Sequence, residues 1–260
     1  MHETVLEAED LDSLLLVGRN QEIQLFVNSL EDPVHSKRVL NVYGTAGIGK
    51  SSLLDEFQRL ARKRGVMTIF IDSQKFVQTP SSFCLHILQA LQHFESFPED
   101  NPSLLLETCV KTLNEHAQHQ QITLFLDTYE TMESMDHWLR EYFFKQLAKN
   151  ILIVIAGRYP LSEPWLLSPT WRQQMVRLPL NELDYAAVEK YARYCHIFDE
   201  SLIQRMWRHS KGHPLTLSLV AFTVQQSTQL EPDLPKSDYD TLPYIVSQWL
   251  REVPGEHLRP

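Results

Sequence analysis

The chain has 260 residues, 43 % of them hydrophobic, which is core enough for one large or two modest globular domains. Its formal charge of −9 argues against a general nucleic-acid coat, although a local basic groove stays compatible with it. No apolar run approaches the roughly 18 residues of a membrane span, and the acidic start (Glu3, Glu7, Glu9, Asp10) is unlike a signal peptide, so no membrane partner and a cytoplasmic location are expected.

In chain order, residues 1–16 read as an acidic arm without a clear period. Val17-Gly18-Arg19-Asn20 follows, and Glu22, Ile23, Leu25, Phe26 and Leu30 recur at helical spacing, so Asn20 is placed as an N-cap. Val39–Tyr43 is a short apolar strand. Directly after it, Gly44-Thr45-Ala46-Gly47-Ile48-Gly49-Lys50-Ser51 completes the pattern G-x-x-x-x-G-K-[ST], and Ser52 to Arg64 looks helical. Strand, loop and helix in that order are what a phosphate-binding loop requires. Only 8 residues of the chain are glycine and three stand in this loop, so a chance match is remote. Gly44, Gly47 and Gly49 permit positive φ and close backbone approach, which lets successive N–H groups face phosphate oxygens. Lys50 reaches the β- and γ-phosphates, the Ser51 hydroxyl is placed to hold Mg²⁺, and the helix from Ser52 adds its N-terminal partial charge. Arg59, Arg62, Lys63 and Arg64 close that helix and read as a solvated face complementing its dipole.

Met67–Asp72 reads as a second buried strand. Helices are expected over roughly Ser81–Phe97 and Pro102–Gln120, with a break at 98–102. Ile122–Asp127 is the third strand, a helix is placed around Met135–Ala148, and Ile151–Ala156 is the fourth strand and the most apolar run in the chain. A loop with Pro160, Pro164 and Pro169 leads to a fifth strand at Met175–Leu178. Continuous apolar strands alternating with helices predict an α/β fold with a parallel sheet covered on both faces. The pattern changes near Pro179: Asp184–Cys195, Asp199–Ser210 and Pro214–Gln226 all read as helices, so a small all-α domain follows. The expected organisation is an arm at 1–16, a nucleotide-binding domain at 17–179, a helical lid domain at 180–229, and a linker with the start of a further helix at 230–260. Cys84, Cys109 and Cys195 lie far apart and are expected reduced and buried, and His86, His93, His116 and His119 are expected to face solvent.

The second half of a nucleotide site is sought at strand ends, where α/β ligands bind. Asp127 ends the third strand and is the candidate second Mg²⁺ ligand beside Ser51. Glu130 is the candidate for polarising an attacking water. Arg158, after the fourth strand, either senses the γ-phosphate or forms a salt bridge with a nearby carboxylate. Gly212-His213-Pro214-Leu215 opens a helix with proline in its first turn.

Taken in order, Val17-Gly18-Arg19 with Glu22, Gly44–Ser51 with Leu53-Leu54, Leu126-Asp127-Thr128-Tyr129-Glu130, Ala156-Gly157-Arg158 and Gly212-His213-Pro214-Leu215 resemble the STAND class of signal-transduction ATPases, relatives of AAA+ proteins. The resemblance spans about residues 14–226. It implies a five-stranded parallel sheet in which the strand bearing Asp127 is separated from the loop strand by the strand leading to Arg158. It also implies that Val17, Gly18 and Arg19 border the adenine, and that Ser52 lies at the phosphate loop with Thr45, Ala46 and Ile48. Pro214 would close over base or sugar as the proline of the related GLPL motif does, with His213 in place of the usual apolar residue. Many related ATPases carry their catalytic glutamate directly after the aspartate, where this chain has Thr128, so slow hydrolysis is expected. Trp249–Pro254 looks like the lead-in to a winged-helix domain.

The expected function is an ATP/ADP-binding switch in signal transduction, with Mg²⁺ as cofactor and ADP bridging the two domains through Lys50, Ser51 and Pro214. Taking an equilibrium from 1:99 to 99:1 needs about 5.5 kcal/mol, whereas charge-assisted contacts contribute about 1.5–3 kcal/mol each. Other domains of a longer chain and self-association on activation are therefore expected partners. The alternative is an AAA+ origin-binding-type ATPase acting on nucleic acid. The charge of −9 and the lack of a visible basic element weigh against it, so nucleic acid is expected to be an unlikely partner. A small-molecule kinase ranks third.

Overall fold

The computed structural model describes residues 16–32, 37–91 and 102–230, the last five as backbone alone. The expected arm before residue 16, the end of the helix placed to Phe97, the 98–101 break, and the linker and helix placed beyond 230 lie outside the described residues. Two compact units divide the chain. One holds residues 21–45 and 50–180; the other holds 16–20, 46–49 and 181–230.

The first unit is built on five parallel strands, β1 Val39–Tyr43, β2 Met67–Asp72, β3 Ile122–Asp127, β4 Ile151–Gly157 and β5 Met175–Pro179, in the order β2-β3-β4-β1-β5. Every residue of β3 and β4 is buried, as uninterrupted apolar runs require. The expected strand order holds: β4 lies between β3 and β1. Helix α1 spans Asn20–Glu31 and α2 spans Lys50–Lys63, and Phe26 of α1 stacks on Phe57 of α2 with ring centroids 4.2 Å apart. Helix α3 runs from Pro80 to Ala90, capped by the Thr79 hydroxyl, and α4 from Pro102 to His119. Both pack on the β2–β3 side, burying Phe83, Ile87, Leu113 and the two thiols Cys84 and Cys109. His86 is half-buried against the Phe76 ring rather than solvent-facing.

Two segments differ from expectation. Residues 129–146 form no single helix. They wind through a 3₁₀ turn, a three-residue α turn, a π turn at Leu139–Phe143 and another 3₁₀ turn. The wider π turn lets the adjacent Phe143 and Phe144 both point inward. Phe143 meets Phe83 edge-on at 5.1 Å, and Phe144 lies 6.1 Å from Trp165. The stretch read as a proline-rich loop contains α5 (Glu163–Leu167) and α6 (Pro169–Gln174), each with a proline in its first turn, where the missing N–H costs nothing. Their tryptophans, Trp165 and Trp171, are fully buried.

The second unit is helical. Helix α7 (Tyr185–Tyr194) starts from the Asp184 cap, α8 (Glu200–Ser210) from the Asp199 cap, and α9 runs from Pro214 to Leu230, past the expected end at Gln226. Their apolar faces enclose Val17, Leu183, Val188, Ile203, Met206, Leu217 and Val220. Cys195 is only half-buried, against the expectation, because it follows the last turn of α7. Gly212 closes the turn from α8 to α9 with φ +79°, and a Cβ there would stand 2.0 Å from the Leu183 carbonyl oxygen. Among the described residues no helix is long and apolar enough to cross a membrane.

Candidate functional site

In the sheet unit, the loop leaves β1 at Gly44, whose N–H donates to the Gly157 carbonyl at 3.3 Å, tying the loop's start to the end of β4. The chain turns into α2 at Lys50. The Lys50 ammonium donates to the carbonyls of Gly44 at 2.8 Å and Thr45 at 2.9 Å. Burial lowers the Lys50 pKa; Glu130 and Asp127 oppose that shift by their negative charge, and Arg158 adds to it. One residue on, the Ser51 hydroxyl donates to Asp127 Oδ2 at 3.0 Å. Asp127 is almost wholly buried, and its other oxygen accepts the Thr128 N–H at 2.8 Å. Ser51, at the start of α2, is thus brought to Asp127, at the end of β3, with Lys50 beside it, at the carboxyl end of the sheet where ligands bind in open parallel sheets.

Thr128 adopts a left-handed conformation, φ 57°. Its carbonyl accepts from Ser73 Oγ at 2.7 Å, Thr131 Oγ1 at 3.0 Å and Thr131 N at 3.1 Å, which holds that conformation in place. The turn delivers Glu130 to the end of β4. There Glu130 Oε2 accepts the Arg158 N–H and Oε1 pairs with Arg158 Nε, both at 3.2 Å. Gly157 permits this approach, since a Cβ on it would lie 3.2 Å from Glu130 Oε2. Of the two readings of Arg158, the ion pair with a carboxylate is the contact present.

Two groups here escaped sequence reasoning. Ser73 and Thr131 share a 2.6 Å hydrogen bond that buttresses Thr128. Asp136 Oδ1 accepts from Tyr129 Oη at 2.9 Å and Trp165 Nε1 at 2.7 Å, fixing the residue next to Glu130. Burial and the Asp136 carboxylate push the Tyr129 phenol well above its ordinary pKa, so it stays a donor. A serine, a threonine and an aspartate in loops carry no local signal; only their pairing across the fold distinguishes them.

In the helical unit, residues 46–49 lie with Arg19 and the start of α9. Gly47 and Gly49 take positive φ, +74° and +95°, whereas Gly44 does not. Gly44 carries the bond to Gly157 directly after β1. The Arg19 guanidinium is buried and donates to the carbonyls of Ile48 at 3.0 Å and Asn181 at 2.8 Å. His213 Nε2 is 3.0 Å from the Ala46 carbonyl oxygen, and Leu215 N donates to Gly47 O at 3.2 Å. Val17 is buried in the helical core, and Pro214 stands in the first turn of α9.

The strand order, the loop at the exit of β1 and the hydroxyl–carboxylate pair between α2 and β3 define an α/β P-loop NTPase. Within that class the chain belongs to the AAA ATPase domain family, whose model matches residues 15–217. Among curated proteins none matches the sequence. Solved structures share the fold. Cdc6p from Pyrobaculum aerophilum is 19 % identical with a TM-score of 0.59, covering 83 % of this chain and 66 % of that one. The Aeropyrum pernix ORC2 protein, solved as ADPNP-ADP complexes, is 14 % identical with a TM-score of 0.59, at 94 % and 68 % coverage. Drosophila ORC bound to DNA is 16 % identical with a TM-score of 0.64, at 97 % and 72 % coverage. The chain therefore spans about two thirds of the length of these solved chains.

These likenesses correct the expectation that nucleic acid is an unlikely partner, because a structure of the same fold holds DNA. The charge of −9 is a sum over the whole chain and says nothing against a local basic surface.

Proposed function

We propose that this chain is an ATP- and ADP-binding module with slow, Mg²⁺-dependent ATP hydrolysis, whose nucleotide state governs engagement of nucleic acid. The observation that carries the nucleotide reading is the Ser51–Asp127 pair at 3.0 Å beside Lys50. A hydroxyl and a carboxylate at hydrogen-bond distance are hard oxygen donors that suit Mg²⁺, and the pair is the fit expected of residues that would hold it. When bound, the ion supplies positive charge to the β- and γ-phosphate oxygens. Lys50 adds its ammonium to the same oxygens, and the amides of the loop bind and orient the phosphates. Adenine would lie against the Val17–Arg19 segment and Pro214.

Slow turnover follows from Glu130. Its carboxylate is turned to Arg158, accepting the Arg158 N–H and pairing with the Arg158 side chain, rather than left free to orient an attacking water. The nucleic-acid half of the proposal is supported by the fold shared with the ORC structure that holds DNA. Exposed basic residues cluster at two helix C-termini: Arg62 and Lys63 in the last turn of α2 with Arg64 following, and Arg208 and His209 in the last turn of α8 with Lys211 following. Filter binding to duplex DNA at several salt concentrations, with ATP and with ADP, tests it. A steep salt slope that differs between the nucleotides is expected; absence of DNA binding in both would sink this half. Mass spectrometry of nucleotide released from the purified protein tests the adenine assignment.

A second reading, the STAND-type signalling switch, is favoured by one observation: Arg158, directly after β4, holds the glutamate that would activate water. A γ-phosphate competing for Arg158 would release Glu130 and couple nucleotide state to conformation. Under that reading ATP drives self-association without DNA, which light scattering on the ATP and ADP forms would detect.

A further inference from the structure

Three successive carbonyls of the phosphate loop each accept a hydrogen bond from outside the loop. Ala46 O receives His213 Nε2 at 3.0 Å, Gly47 O receives Leu215 N at 3.2 Å, and Ile48 O receives Arg19 Nη2 at 3.0 Å. All six residues belong to the helical unit. A carbonyl only accepts, so Nε2 of His213 carries the proton, and Nδ1 is left 3.5 Å from the Thr216 hydroxyl. The approach is close: a Cβ on Gly47 would lie 2.9 Å from Leu215 Cβ and 3.0 Å from His213 Cε1.

The peptide bond is planar and trans, so each C=O points opposite to the N–H that follows it. Holding the oxygens of Ala46, Gly47 and Ile48 toward these donors turns the N–H groups of Gly47, Ile48 and Gly49 to the other side of the chain. Those are amides that a G-x-x-x-x-G-K-S loop offers to phosphate oxygens. The main-chain donor at Leu215 is available to any sequence. The side-chain donors are particular to this one, and His213 holds the first of the three peptide planes.

We infer that His213 is a positioning residue for nucleotide binding: together with Arg19 it sets the peptide planes of the phosphate loop. The inference rests on the reading of 44–51 as a nucleotide site. Without the His213 donor the plane between Ala46 and Gly47 is free to rotate. Only a fraction of loops then presents its amides, and apparent affinity falls by that fraction.

The test is titration of the full chain with a fluorescent ADP analogue and Mg²⁺, comparing wild type with His213→Leu, His213→Gln and His213→Asn. Leucine keeps the bulk and removes the donor; glutamine keeps an N–H at similar reach; asparagine carries the amide but falls short of Ala46. Losing one hydrogen bond weakens binding roughly three- to tenfold. That loss is expected for His213→Leu and His213→Asn, with rescue to within about twofold by His213→Gln. Far-UV circular dichroism establishes which variants fold, and the glutamine–asparagine comparison decides the matter if leucine does not. Wild-type affinity in His213→Leu or His213→Asn, or failure of His213→Gln to rescue, overturns the inference while leaving the nucleotide reading intact. A wild-type chain that binds no ADP analogue overturns both.

Discussion

Lys50 shows how much of the site depends on where a charge is placed rather than on its presence. Burial lowers its pKa from the usual 10.5, so the free protein loses the ammonium at a lower pH than an exposed lysine would. The sign follows. Between the folded and unfolded pKa values the unfolded chain binds more protons, so Lys50 destabilises the fold below its folded pKa and this cost is relieved as pH rises through that window. Phosphate affinity runs the other way, because deprotonation removes the charge that the phosphates need. ADP affinity is expected to begin falling below pH 10.5, by up to about tenfold per pH unit, and Lys50→Arg to move the fall to higher pH; calorimetric titration across that range measures both. Glu130 makes a second test at this scale. Glu130→Gln should lower ATP turnover roughly a hundredfold while leaving ADP affinity within about twofold, as read by phosphate release and titration. The loop between β1 and α2, and the Ser51–Asp127 contact, were legible because the motif's spacing fixes a strand, a loop and a helix in that order. The engagement of Glu130 by Arg158 was not, since it depends on Thr128 turning left-handed and on the register of β4 beside β3.

At the level of elements, three of the helices legible in the sequence start from a local cap. Asp184, Asp199 and Thr79 each accept N–H groups of the first turn, and each precedes a helix close to where spacing placed it. The helix placed around Met135–Ala148 is broken into short turns because its form is set by neighbours distant in sequence. Phe83, Trp165 and Trp171 leave room for two adjacent phenylalanines, and a regular helix would expose one of them. The α8–α9 junction shows the same dependence at a single residue. Gly212 combines φ +79° with backbone 2.0 Å from where a Cβ would sit, so Gly212→Ala should cost more than about 2 kcal/mol. Chemical denaturation of the full chain should show the lowered midpoint, and an unchanged midpoint would mean that the turn relaxes freely.

Across the whole molecule, ligand linkage gives the broadest check. A ligand that binds only the native chain raises stability by about 2.7 kcal/mol at a hundred times its Kd. ADP with Mg²⁺ should therefore raise the thermal midpoint by several degrees, and Lys50→Ala should abolish the rise. The overall architecture was readable from the alternation of apolar strands and helices, whereas the partner class was not, because net charge averages away the surface on which a partner would dock. The sheet order has one more consequence, and it concerns time. The strand that launches the phosphate loop, β1, pairs only with β4 and β5, Val39 lying beside Ile153 on one side and Met175 on the other. It is made early and its partners late. At about 5–20 residues per second, roughly seven to twenty-seven seconds of synthesis separate β1 from the completion of β5. Until β4 emerges the loop strand has neither of its partner strands, so the phosphate loop is synthesised well before the sheet that supports it can close around it.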